Sequence, residues 1–89
     1  MSISKESLLT SLRKGSTITT FYRKSRKQVA ELTTPVPDGY LLLSPNKAEE
    51  SLLTYTEFES VKSELIETEV WQEKVGGIVF GGSCWRLKS

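Results

Sequence analysis

Eighty-nine residues with twelve Lys/Arg, eleven Asp/Glu, no histidine and a single cysteine, Cys84, limit the chemistry before any motif is considered. A chain of this length buries roughly 60 to 70% of its unfolded surface, enough for one modest core, and residues 1–89 read as a single domain that needs no metal or disulfide to fold. Without histidine and with a lone thiol, a structural zinc site, an internal disulfide and imidazole-based catalysis drop out. The start of the chain, MSISKESLLTSLRKG, lacks an apolar core after a basic start, and no stretch approaches the ~18 apolar residues of a membrane span. The expected setting is a reducing cytoplasm with no membrane contact; a virus-encoded protein made inside its host fits the same features.

Net charge is +1, but it is unevenly spread: residues 1–47 carry eight Lys/Arg against three Asp/Glu, and residues 48–89 carry four against eight. Such asymmetry suits a polyanion-binding first half, or two halves that face each other.

In chain order, Ser4 is a candidate N-cap for a helix over Lys5 to Lys14: Leu8, Leu9 and Leu12 have helical spacing, Arg13 and Lys14 suit its last turn, and Gly15 ends it. Ser16 to Lys24 alternates β-branched, aromatic and polar residues, the pattern of a half-buried strand. Arg23, Lys24, Arg26 and Lys27 then form the densest positive charge in the chain. Two structures fit this segment. Lys24 to Lys27 is an exposed hairpin tip with Gln28 to Thr33 returning antiparallel, or Ser25 caps a short helix with Gln28 at its third position; the hairpin is the preferred reading.

Pro35, Pro37 and Asp38-Gly39 mark a turn before a strand over Tyr40 to Ser44, with Ser51 to Tyr55 as its antiparallel partner; Asn46 and Glu49 offer a competing helix start. Thr56, with Glu59 three residues on, starts a helix in which Phe58, Val61 and Leu65 face inward and which continues to about Glu67. In GGIVFGGSCWRLKS, Gly81-Gly82 matches a two-residue hairpin turn, and Trp71, Phe80 and Trp85 are expected to anchor the core. The resulting fold is α+β, a small twisted antiparallel sheet with two short helices packed on it.

The order of a short helix, Leu12-Arg13-Lys14-Gly15, and a strand ending Thr20-Phe21-Tyr22-Arg23-Lys24 resembles the start of small phage SH3-like β-barrel proteins over about the first third of the chain. That resemblance implies an SH3-like barrel as the alternative fold.

Catalytic patterns fail on inspection. GGIVFGGS lacks the Gly-Lys-Ser/Thr ending of a P-loop and the spacing of a dinucleotide site. Cys84 has no histidine to activate it, and Glu64, Glu67, Glu69 and Glu73 come without an aspartate cluster. The expectation is a non-enzymatic regulatory or accessory binding protein with no cofactor and no metal. Its leading contact surface is Arg13, Lys14, Tyr22, Arg23, Lys24, Arg26 and Lys27, gathered against nucleic acid or an acidic protein surface, with Tyr22 stacking on a base. The competing class is a protein-binding inhibitor or adaptor that uses either the basic tip or an acidic helix face of Glu57, Glu64 and Glu67 against a basic protein surface. Self-association through a sheet edge at the terminal hairpin, giving a homodimer, is the third option.

Overall fold

The structure is a computed structural model that describes residues 4–27 and 37–88. Ser4 accepts a hydrogen bond from the Ser7 amide and caps α1 (Lys5–Arg13), as its sequence suggests. Gly15, with φ +108°, turns the chain into β1 (Thr17–Ser25). Then follow β2 (Gly39–Leu43), β3 (Glu50–Leu53), α2 (Tyr55–Lys62), β4 (Leu65–Val75) and β5 (Ile78–Leu87). All strand pairs are antiparallel, and the sheet runs β3-β2-β1-β5-β4. The α+β reading holds. The sheet has two distinct edges, β3 and β4, so it is an open sheet and not the closed barrel implied by the resemblance.

Both helices pack on one face of the sheet. Leu8, Leu9 and Leu12 from α1 and Phe58 and Val61 from α2 meet Ile18, Tyr40, Leu53 and Leu65 in one buried cluster. Tyr40 stacks on Phe58 at 4.8 Å between ring centroids, and Trp85 meets Phe58 edge-on at 5.5 Å. Trp85 therefore does pack against the core. Trp71 does not: it is 38% exposed, and Phe80 points to the other side of the sheet. The reason is its face of the sheet. Helices of nine and eight residues span only about 12–14 Å, whereas the eleven residues of β4 extend about 36 Å. Two such helices cover one end of one face, and Trp71, paired with Gly82 on the opposite face, is out of their reach whatever their length.

Three boundaries differ from the sequence reading. The start of α2 is set by Thr54, whose hydroxyl accepts from the Glu57 amide while the Glu57 carboxylate accepts from the Thr54 amide; this reciprocal box outcompetes Thr56 with Glu59. The helix ends at Lys62, because Leu65 onward pairs with β5 from Leu65↔Leu87 to Val75↔Ile78. The turn of that hairpin is Gly76-Gly77, with Gly76 at φ +60°, and Gly81 and Gly82 lie inside β5. They are glycines for a different reason, close approach. A Cβ on Gly81 would overlap the Tyr22 ring, and one on Gly82 would overlap the Thr20 carbonyl oxygen of the neighbouring strand.

Between β2 and β3 the chain turns instead of forming a helix: the Asn46 side-chain oxygen accepts from the Ser44 hydroxyl and the Ala48 amide, and Lys47 takes φ 59°. Lys24 and Ser25 pair with Val79 and Ile78 inside β1, so an exposed tip does not begin at Lys24; Arg26 and Lys27, which follow, have helical backbone, as expected if Ser25 caps a helix. The antiparallel return over Gln28 to Thr33 lies outside the described residues. Among the described residues no helix is long and apolar enough to cross a membrane.

Candidate functional site: the basic segment and the open sheet face

The seven residues nominated for polyanion contact do not converge. Arg13 and Lys14 close α1 just before the start of β1, and Arg26 and Lys27 follow its end, so β1 separates the two groups by about 30 Å. At the near end, Arg13 lines a shallow depression with Arg86, Ser16 and Thr17. Arg86 is a neighbour that sequence spacing had no means of supplying.

At the far end the charge is partly neutralised. Asp38, just before β2, accepts the Arg23 backbone N–H at 2.6 Å and the Lys24 ammonium at 2.7 Å. The Lys24 hydrogen bond first, and the Arg23 amide second, hold the Asp38 carboxyl below the usual carboxylate range. Asp38 and Lys24 lie fourteen residues apart, and antiparallel pairing of β1 with β2 brings them together. Arg23 sits with its guanidinium carbon 5.8 Å from the centre of the Phe80 ring. Arg26 and Lys27 are exposed. Tyr22 is half-buried and lies against Gly81, its hydroxyl accepting from the Gln72 side-chain amide at 3.0 Å, so it braces β1 to β4 across β5.

The nominated acidic face is also dispersed. Glu57 is 8% exposed and occupied with the helix cap. Glu64 follows α2 in a turn, 4.0 Å from Lys5, and Glu67 is on β4. Its part in the helix cap removes Glu57 from the surface.

What sequence reading missed is the second face of the sheet. Directly paired residues share a face, so the registers Leu41↔Leu52, Thr19↔Leu41, Phe21↔Gly82, Trp71↔Gly82 and Arg23↔Phe80 place all of these opposite the helices. Leu43, Ile78, Cys84 and Val75 join them. The Thr19 hydroxyl and Cys84 thiol, 3.7 Å apart, confirm the alignment. Phe21 lies against Gly39, where a Cβ would come within 2.9 Å of its ring edge. Five strands at about 4.8 Å make this face roughly 20 Å wide. An antiparallel sheet with one solvated face normally alternates apolar-in with polar-out; here the outward set carries Phe21, Leu41, Leu52, Trp71 and Phe80 among Thr19, Arg23, Glu69 and Glu73. Among the described residues neither helix covers it, and Leu52, Trp71 and Val75 are 76%, 38% and 55% exposed. The signal was present as Tyr40-Leu41-Leu42-Leu43, an unbroken apolar run in place of an alternating one.

Compared with known proteins, the chain matches no family model, no curated protein and no solved structure.

Proposed function

We propose that this chain is a non-catalytic binding protein, an inhibitor or adaptor, that docks a protein partner on the open face of its sheet. The observation that supports this is the sheet face that no helix covers among the described residues, with Trp71, Phe21, Phe80, Leu41 and Leu52 on five adjoining strands. Contiguous exposed apolar surface larger than a few hundred Å2 marks an interaction site. Leu52, Trp71 and Val75 are its most exposed apolar side chains, and Phe21, Leu41 and Phe80 between them are partly exposed. Tryptophan and arginine side chains on it suit the anchors that carry most binding energy.

Polyanion binding is the second reading, supported by Arg23, Arg26 and Lys27, which have no carboxylate in salt-bridge range among the described residues. Lys24 is engaged by Asp38 and contributes less.

Affinity capture from the source cell, with and without nuclease, separates the two. The variants are Trp71→Ala with Leu52→Ser, both at exposed positions, and Arg26→Ala with Lys27→Ala. A stoichiometric protein retained after nuclease, and lost only with the sheet-face pair, is the expected result. Partners that vanish with nuclease and depend on Arg26 and Lys27 would overturn it in favour of nucleic acid.

A further inference from the structure

Among the described residues β4 is an outer strand, paired with β5 on one side only. A shift of register between Glu67 and Glu69 bends its first part, so the straight free stretch is 69–75. On the open face that stretch presents Glu69, Trp71 and Glu73 in alternation, opposite Cys84, Gly82 and Phe80 of β5. Neither Glu69 nor Glu73 forms an ion pair among the described residues, whereas Glu59, Glu64 and Asp38 each have a lysine. Exposed strand edges are liabilities that proteins blunt with charge and bulges, and β4 has both. Those devices are also selective. A second copy pairing antiparallel about Trp71 would set Glu69 against Glu73 of its mate, and like charges directly opposite are destabilising.

We infer that the β4 edge takes an extended segment of a protein partner by strand addition, with basic residues opposite Glu69 and Glu73 and an apolar residue opposite Trp71. This rests on the docking reading above and specifies its chemistry. Backbone hydrogen bonds along 69–75 supply the attachment, and alternate side chains supply selection. The added strand widens the open face, so the rest of the partner continues over Phe21 and Leu41 in one surface.

The test uses the full chain and two synthetic peptides in which threonine alternates with Lys, Val, Lys or with Glu, Val, Glu. Binding is read from a blue shift of Trp71 fluorescence, assigned by its loss in Trp71→Phe, and from amide protection along 70–75. The wild type binds the lysine peptide, and the double variant Glu69→Lys/Glu73→Lys loses about tenfold in affinity for it and gains the glutamate peptide by a similar factor. Equal binding of both peptides by both proteins, or none by the wild type at millimolar peptide, overturns strand addition at this edge. If a captured partner depends on Leu52 and Trp71 but is indifferent to the charge reversal, docking on the face stands and the edge proposal alone fails.

Discussion

Replacing Gly82 by alanine tests whether β5 is held where the structure puts it. The added Cβ would overlap the Thr20 carbonyl oxygen and stand 2.9 Å from the Thr20 carbonyl carbon and 3.0 Å from the Phe21 Cα. All three are backbone atoms of β1, the central strand, and none can rotate aside. Carbon and carbonyl oxygen need about 3.3 Å, so β5 must lift from β1 around the Phe21↔Gly82 pair. Losing two or three ladder hydrogen bonds beside a buried glycine costs about 3 kcal/mol, at about 1 kcal/mol each. Gly81→Ala is the matched control. There the Cβ meets the Tyr22 ring, including its Cε1 at 2.8 Å, and that side chain can swing away. The cost is then the Tyr22–Gln72 hydrogen bond, about 1 kcal/mol, offset by about 0.5 kcal/mol of lost unfolded-chain entropy. Urea denaturation followed by far-UV circular dichroism reads both, as midpoint shifts at constant slope. Gly82→Ala within 1 kcal/mol of wild type, or Gly81→Ala the more damaging of the two, would refute the reasoning.

Two further outcomes follow from local chemistry. Asp38, with its pKa lowered in the folded state, contributes stability that is fully present above its unfolded value, about 3.9, and is lost as pH falls through the lower folded one. Because its side chain is 39% exposed, the contribution stays below about 1 kcal/mol. Carboxyl NMR titration should show Asp38, the chain's one aspartate, protonating below the usual aspartate range and moving up in Lys24→Ala; an unchanged titration there would remove the Lys24 contact as the cause. Thr54→Ala breaks the reciprocal cap of α2 and should cost about 1 kcal/mol in the same urea assay, while Thr56→Ala, outside that cap, should cost much less. Equal costs would return the cap to Thr56.

Local sequence determined what local forces control. Leu8, Leu9 and Leu12 at helical spacing behind Ser4 specify α1, and the alternation from Thr17 to Lys24 specifies β1. The pairing of β2 with β3 follows from two apolar runs around a polar turn, and the α+β class follows from these elements together. A glycine pair, however, reads the same whether it bends the chain or admits a neighbour. Only packing showed that Gly76-Gly77 turns and that Gly81-Gly82 yields space to Tyr22 and to the β1 backbone. Leu65 has helical spacing from Phe58 and Val61, yet ten paired positions along β5 outweigh the last turn of a short helix.

The candidate sites divide along the same line. Charge density along the chain located Arg23 to Lys27, but charge in space depends on what the fold sets beside it. Antiparallel pairing of β1 with β2 brings Asp38 to Lys24, and the length of β1 carries Arg13 and Lys14 to the other end of the molecule. Of the open face, only the unbroken run Tyr40 to Leu43 is visible along the chain; its assembly is a tertiary result. Its residues come from five strands far apart in sequence, and they share a side because a two-residue side-chain period, propagated through four registers, leaves them no other.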